Sequence, residues 1–456
     1  MKHLLTTLLV VIIASASPAA TDKPNILFIF ADDWGWGDLS CRGHPYVKTP
    51  NIDRLAAEGT DFHRFTVASG VCSPSRTAVM TGHFPARYCI DGHFAWVPSN
   101  AKRGMPDWLS PNAPVLPRIL QNAGYATAHF GKWHLSNNMI PDSPRPSEYG
   151  YDAYGAFNCA GEQMPVHEDA MHARAFIEKC HKEGKPFFIN LWIHEPHTPF
   201  HTVPKYRWRF RDLEEADNIY ASVLSHADDR IGQVLDTLDR LKLTDNTLVI
   251  FSSDNGPARA SGNTELKLMH DTATGAGYGI AAAKGITGGR KGYKAALFEG
   301  GIGVPFIARW PGRIAAGKVD NASPISAVDL LPTFCEIAGI DLPDDYAPDG
   351  ISQVAALTGK QNPKRQKPLF WKMKGRAGSP THWVSYAVAD QQWKLVSDHD
   401  ASRVELYDLV ADPYEKTDLK GQHPEVAKAL LQKIEGWKAT LPARPDPTCF
   451  SEERKK

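Results

Sequence analysis

The sequence predicts an α/β fold: a large, doubly wound, mostly parallel sheet flanked by helices, followed by a small antiparallel α+β subdomain at the C-terminal end. Three observations predict it. First, residues 25–30, 125–130, 186–193, 247–251 and 304–309 are short, almost continuously apolar runs rich in β-branched and aromatic residues. Strands buried on both faces of a parallel sheet read this way. Second, helical patterns alternate with these runs, over residues 51–58, 115–123, 167–182, 218–241 and 327–338, and four of them stop at Gly59, Gly124, Gly184 and Gly339. Glycine there closes a helix in the left-handed conformation, and strand–helix alternation covers both sheet faces. Third, the texture changes near Gly359: a polar stretch containing Pro363 is followed by closely spaced runs at 369–373, 383–388, 393–396 and 404–409. That spacing predicts an antiparallel meander, and the pattern from 424 to about 440 predicts a closing helix.

Length agrees with this division. A chain of 456 residues exceeds one ordinary small domain and suits a large core plus a module. Residues 1–20 read as a secretory leader: Lys2 and His3, an apolar run from Leu4 to Ile13 broken only by Thr6 and Thr7, then Ala14-Ser15-Ala16. The run is too short to span a bilayer, so the expected product is exported and not inserted in a membrane. It would be periplasmic or extracellular in a bacterium, lysosomal or secreted in a eukaryote. The large domain is placed at 21–359 and the subdomain at 360–456.

Lys+Arg and Asp+Glu both total 51, which excludes a global field for nucleic acid or an anionic membrane. An anionic ligand must then meet a local cluster of cations. Seven cysteines stand at 41, 72, 89, 159, 180, 335 and 449 without a C-x-x-C pair, so no zinc ribbon or dithiol motif is indicated. An oxidising compartment permits disulfides, and the odd number leaves at least one thiol unpaired.

The polar clusters carry the functional reading. Asp32-Asp33, Gly131-Lys132-Trp133-His134, His194-Glu195-Pro196-His197 and Asp254-Asn255-Gly256 each follow a predicted strand. Ligands of open parallel sheets bind beyond the carboxyl ends of the strands, so the four clusters are expected to converge. Asp32, Asp33, Asp254 and Asn255 form an all-oxygen set for a hard cation, Ca²⁺ before Mg²⁺ because the protein supplies so many ligands. Cys72-Ser73-Pro74-Ser75-Arg76 precedes an apolar stretch ending at Thr81-Gly82. A helix starting near Pro74 puts Cys72 at its N-terminus, where an anion is favoured, with Arg76 a turn further on.

These residues carry a resemblance. Cys72-x-Pro74-x-Arg76, with Thr81-Gly82, resembles the signature of the type I formylglycine-dependent sulfatases of the alkaline phosphatase superfamily. Gly131–His134 resembles that family's second signature, the Asp32-Asp33 and Asp254-Asn255 segments its metal segments, and Pro196-His197-Thr198-Pro199 its substrate-side His segment. Lys294, five residues before Glu299-Gly300-Gly301, stands where the family places a sulfate-binding Lys. The resemblance implies an alkaline phosphatase-like fold and a maturation enzyme that oxidises Cys72 to formylglycine, the nucleophile, held by Arg76 and the cation. It further implies that Asp254 accepts a proton, that Lys132 and Lys294 neutralise sulfuryl oxygens, that His197 protonates the leaving alcohol, and that His134 deprotonates the remaining hydroxyl to expel sulfate. One position departs: Gly303 stands where the family often has Arg, which implies a packing change.

The arrangement from Cys72 through Arg87 to Lys132 resembles N-acetylgalactosamine-6-sulfatases, implying a sulfated oligosaccharide or polysaccharide as partner. His93, His194 and Arg103 are the expected sugar contacts. Competing readings are a phosphate or phosphonate ester hydrolase using the same site, and a non-catalytic polysaccharide-binding protein.

Overall fold

The computed structural model describes residues 23–260, 265–360, 364–376 and 378–455; the expected leader lies outside them. Asn25–Ala31 is the middle of an eight-stranded sheet. Thr247–Ser253 and Phe187–Trp192 flank it in parallel, and Ala126–Lys132 and then Ala153–Phe157 extend that side, also in parallel. On the other side stand Phe306–Arg309, Thr60–Phe62 and the edge strand Lys318–Asp320.

The strand predicted over 304–309 is where the sequence reading needs correcting. Phe306–Arg309 runs antiparallel to both neighbours. The reason is local. After Thr247–Ser253 the chain stays at the carboxyl rim of the sheet, where Gly256 N–H donates to Gly301 O at 2.8 Å. It therefore re-enters the sheet from that rim and must run downward.

Side-chain alternation along Asn25–Ala31 builds two cores. Ile26, Phe28 and Phe30 pack with Val79, Leu116, Leu120, Leu331 and Phe334 on one face. Leu27, Ile29 and Ala31 pack with Ile52, Leu55, Ala173, Ile177, Leu224 and Ile231 on the other. The helices Pro50–Ala57, Asp169–Glu183 and Glu215–Arg240 thus cover one face, and Cys72–Thr81, Leu116–Asn122 and Leu330–Ile337 the opposite one. The helix predicted over 327–338 opens as a 3-10 turn, Ala327–Asp329, in which Asp329 Oδ2 accepts from Ser326 N–H at 2.8 Å in a capping box and Arg365 holds the same carboxylate at 2.6 and 2.8 Å.

Leu369–Lys372, Tyr386–Asp390, Trp393–Ser397 and Val404–Asp408 form the antiparallel meander, backed by Pro424–Lys438. This sheet shares the first core, and Trp371 Nε1 donates to Val67 O at 2.7 Å. Across the same junction Lys394, wholly buried, pairs with Glu299 at 2.8 Å and Glu415 at 2.9 Å. A Cβ at Gly303 would lie 2.7 Å from Glu299 O. The departure at Gly303 is therefore a packing change, and the buried cation beside Glu299 comes from the C-terminal sheet. All seven cysteines are free thiols, so the disulfides that export would permit do not form.

Candidate active site

The expected convergence occurs. Asp32 and Asp33 follow Asn25–Ala31, Asp254 and Asn255 follow Thr247–Ser253, and Lys132 ends Ala126–Lys132, all at one rim of the sheet. Gly131 makes the approach possible. Its φ is +110°, and a Cβ there would lie 2.0 Å from Trp192 O, a conformation and a clearance open only to glycine. Asp33 and His134 also hold positive φ, 68° and 54°, so backbone strain is stored at this rim.

Cys72 is the first residue of the helix Cys72–Thr81, two positions earlier than the Pro74 start expected from sequence. Pro74 still lies in the first turn, where a helix has no internal partner for an N–H. Every residue of this helix is buried, and Gly82 closes it in the left-handed conformation. The thiol thus sits at the positive end of the helix dipole. Lys132 Nζ stands 3.6 Å from Cys72 Sγ and also pairs with Asp32. Arg76 Nε and Nη2 donate to Asp254 Oδ2 at 3.0 and 2.7 Å, and its Nη1 donates to Lys132 O at 3.1 Å. The guanidinium lies 5.0 Å from the Trp192 ring centroid, a rigid apolar backing for a planar cation. Lys294 Nζ donates to Asp33 Oδ2 at 2.7 Å, Asn255 Nδ2 to Asp33 Oδ1 at 2.7 Å, and His197 Nε2 is 3.9 Å from Asp33 Oδ2.

Three buried carboxylates therefore face two buried cations, Arg76 and Lys132, and the half-buried Lys294, and their proton affinities diverge. Burial raises Asp32, but His197 in its protonated form, and Lys132, Arg76 and Lys294 in any case, override it and hold the carboxyl well below the usual range. Burial and Asp32 push Asp254 up to about 7 against Arg76. Burial, with Asp32 and Asp254, pushes the Cys72 thiol up to about 11 although Lys132 pulls it down. An unmodified thiol there is a poor nucleophile at neutral pH. Two oxygens in the cluster, Asp32 Oδ1 and Asn255 Oδ1, are buried without a hydrogen-bond partner. Orphaned acceptors in an all-oxygen set fit a hard cation.

His134 Nε2 is 3.0 Å from Phe94 O, and its Nδ1 is buried and unpartnered. Because a carbonyl only accepts, Nε2 carries the proton and Nδ1 offers a lone pair. His197 Nδ1 is likewise committed to Thr198 O, at 2.5 Å. Burial holds both imidazoles well below their ordinary pKa, so both rest neutral.

A cavity of about 1030 Å³ opens beside the cluster, with Val71, Lys294, His93 and Arg103 in its wall. His194 is not in that wall. It is buried, bonded through Nε2 to Pro199 O at 3.1 Å and packed edge-on against Phe157. The strand end turns the ring away from that wall, and His194 instead lies beside Asp32 and His197. Sequence reasoning also missed Arg230, which holds Glu195 Oε1 and Oε2 at 2.8 and 2.6 Å and Asp169 at 3.2 Å. Glu195 O in turn accepts from Asp32 N–H at 3.3 Å, so this network braces the rim. A faint signal existed: Arg230 falls on the apolar stripe formed by Ala227, Ile231 and Val234.

Residues 24–340 match the Sulfatase family, and residues 290–440 match the C-terminal region of N-sulphoglucosamine sulphohydrolase. The chain belongs to the sulfatase family. Its class is thus that of a sulfuric ester hydrolase on an α/β scaffold. This sulfatase is 32% identical over 392 residues to N-acetylgalactosamine-6-sulfatase of Sus scrofa, covering 77% of this chain and 69% of that one. It is 28% identical over 513 residues to N-acetylgalactosamine-6-O-sulfatase of Bacteroides thetaiotaomicron, covering 92% and 94%. The crystal structure of Ps i-CgsB in complex with k-i-k-neocarrahexaose matches this sulfatase with a TM-score of 0.76 and 26% identity, over 95% and 96% of the two chains. No helix among the described residues is long and apolar enough to cross a membrane.

Proposed function

We propose that the chain removes sulfate from a sulfated carbohydrate, with Cys72 as the precursor of a formylglycine nucleophile. The single observation that carries the reading is the setting of Cys72: a buried thiol at a helix start, 3.6 Å from Lys132 and enclosed by Asp32, Asp254 and Arg76. The carbohydrate class is supported by the named substrates of the relatives. Asp32, Asp33, Asp254 and Asn255 would hold a divalent cation, Ca²⁺ before Mg²⁺, and this ion supplies Lewis-acid polarisation of the sulfate and its nucleophile. The oxidised side chain would supply a hydrated aldehyde, whose second hydroxyl allows sulfate to leave by elimination. A maturation enzyme and export through the leader at 1–20 belong to the same reading, as does the division at 359/360.

The chain's own groups have defined tasks in this scheme. Arg76 fixes Asp254 through two N–H donors to Oδ2, and Asp254, with its raised proton affinity, accepts a proton from position 72. Lys132 and Lys294 swing from Asp32 and Asp33 towards the sulfuryl oxygens, whose charge redistributes in the transition state. His197 rests neutral. The anionic ester beside it raises its proton affinity, so that Nε2 arrives protonated with substrate and donates to the leaving alcohol. His134 Nδ1, neutral and unpartnered, takes the proton that releases sulfate.

The test is mass spectrometry of the Cys72 peptide from a host with a maturation enzyme, alongside sulfate release from defined oligosaccharides. An unmodified thiol together with full activity would overturn the nucleophile, and turnover of aryl phosphate in preference to aryl sulfate would overturn the reaction class.

A further inference from the structure

We infer that the cavity is a polyanion site: it binds a saccharide through a second anionic group, beyond the ester that is cleaved, held by Arg103, Arg259, Lys374 and Arg376. The inference rests on the proposed reading of the site and adds to it the charge of the substrate's neighbouring residue. It starts from an imbalance. The chain as a whole is neutral, yet the cavity wall carries Arg103, Arg259, Lys294, Lys372, Lys374 and Arg376 against one carboxylate, Asp91. Asp91 is already neutralised by Lys372 at 2.8 Å, and Lys294 by Asp33 at 2.7 Å.

The other four cations form no ion pair among the described residues. Two of them are instead held by neutral groups. Arg103 Nε donates to Ser99 O at 3.1 Å and its Nη2 to Asn100 Oδ1 at 2.8 Å. Arg259 Nη1 donates to Tyr293 Oη at 2.7 Å and its guanidinium lies 4.9 Å from the centroid of that ring. Such partners orient a guanidinium and leave its charge uncompensated, with further N–H donors to offer. Lys374 and Arg376 are exposed on the segment that follows Leu369–Lys372, so the C-terminal region closes the wall with cations as well. His93, between Arg103 and the inner cluster, feels the same field: burial first, then Arg103, Lys294 and Lys132, lower it to about 4. Like charges gathered round one concave space, four of them with no counter-charge among the described residues, repel one another until an anion enters.

The volume agrees. A cavity of about 1030 Å³ exceeds the need of one sulfate ester and suits more than one sugar ring. The chemistry that recognises the site is an oxyanion, a sulfate or a carboxylate, on a ring next to the one cleaved.

The experiment reads binding without turnover. The full-length Cys72→Ala chain is titrated by calorimetry with three disaccharides of one skeleton: monosulfated, disulfated with one sulfate on each ring, and monosulfated with a uronic acid as the second ring. The expected result is tighter binding of at least one dianionic ligand by about tenfold or more, the effect of one charge-assisted hydrogen bond. That gap should shrink to within about twofold on adding Arg259→Ala and Arg376→Ala, and the monosulfated ligand should be unaffected. The sulfate and uronate arms identify which anion is held. Equal affinities for all three ligands would overturn the inference, as would a gap that survives the substitutions. Sulfate release by the matured wild-type chain from the monosulfated disaccharide is measured in parallel. Release without a dianion preference in binding sinks this inference alone, and absence of release from every sulfate ester sinks the reading beneath it.

Discussion

The inner cluster and the outer cavity wall use the same residue types to opposite ends. Inside, every cation has a carboxylate: Arg76 with Asp254, Lys132 with Asp32, Lys294 with Asp33. Outside, Arg103 and Arg259 lean on neutral oxygens, and Lys374 and Arg376 are exposed in the wall without an ion pair among the described residues. Compensation inside fixes geometry before substrate arrives, which is what electrostatic catalysis requires. The lack of it outside leaves charge for the ligand to neutralise. Chemistry and recognition are thereby separated by whether the protein has supplied its own counter-ions.

The sharpest way to break this comparison is at Cys72. Cys72→Ala removes the reacting atom and leaves all three inner pairs standing. Sulfate release should fall by about 10⁴-fold or more, as when a nucleophile is deleted elsewhere, and the melting temperature should barely move. Arg76→Met does the reverse. It keeps the volume and strands Asp254 in a buried site, at a stability cost of about 3–5 kcal/mol. Denaturant or thermal unfolding of the metal-free protein reads this directly. A melting temperature equal to wild type would mean that the inner pairs are not holding one another in place.

Lys394 tests whether the same rule governs the junction between the two sheets. It is wholly buried and is shared by Glu299 and Glu415. Burial pushes Glu415 up from 4.5 to about 7, although Lys394 pulls it down. The folded state therefore binds more protons than the unfolded chain between those values, and stability contributed here falls as pH rises through that window. Lys394→Met removes the ammonium that opposes that rise. The variant should lose about 3 kcal/mol near pH 8 and distinctly less near pH 5. Equal losses at both pH values would show that Glu415 does not titrate in the fold.

Much of the inner region was legible in the sequence because it is local. Asp32-Asp33, Lys132–His134 and Asp254-Asn255 sit at the ends of apolar runs, and an apolar run that stops at charged residues marks a strand meeting the rim. Cys72, Pro74 and Arg76 lie within one helical turn. The C-terminal meander was legible for the same reason. What escaped was non-local. Phe306–Arg309 has the composition of a parallel strand, and only the path of the preceding rim segment makes it antiparallel. Ala153–Phe157 and Thr60–Phe62 are too short or too small in side chain to announce themselves. His194 resembles a ligand contact by position, yet the chain buries it against Phe157. The pairing of Arg230 with Glu195 joins residues 35 apart, and the cavity wall draws on segments near residues 91–105, 258–260, 293–295 and 372–399. No window of sequence contains such a wall.

Salt gives the smallest expected effect and the finest discrimination. Screening acts on exposed charges over a Debye length of about 10 Å at 0.1 M and about 3 Å at 1 M, and much less on buried pairs. The cations of the wall are exposed or half-buried, whereas Arg76 and its carboxylate have no exposed surface. Raising ionic strength from about 0.05 M to about 0.5 M should therefore raise KM for a dianionic disaccharide a few-fold and leave kcat nearly unchanged. KM for a monosulfated neutral disaccharide should move less, because only the inner pairs, already compensated, meet its single charge. The two substrates differ by one anion, so the difference between their salt slopes isolates the wall. Equal slopes would place the recognition charge with the inner cluster, and a falling kcat would mean that the inner pairs are open to solvent during turnover.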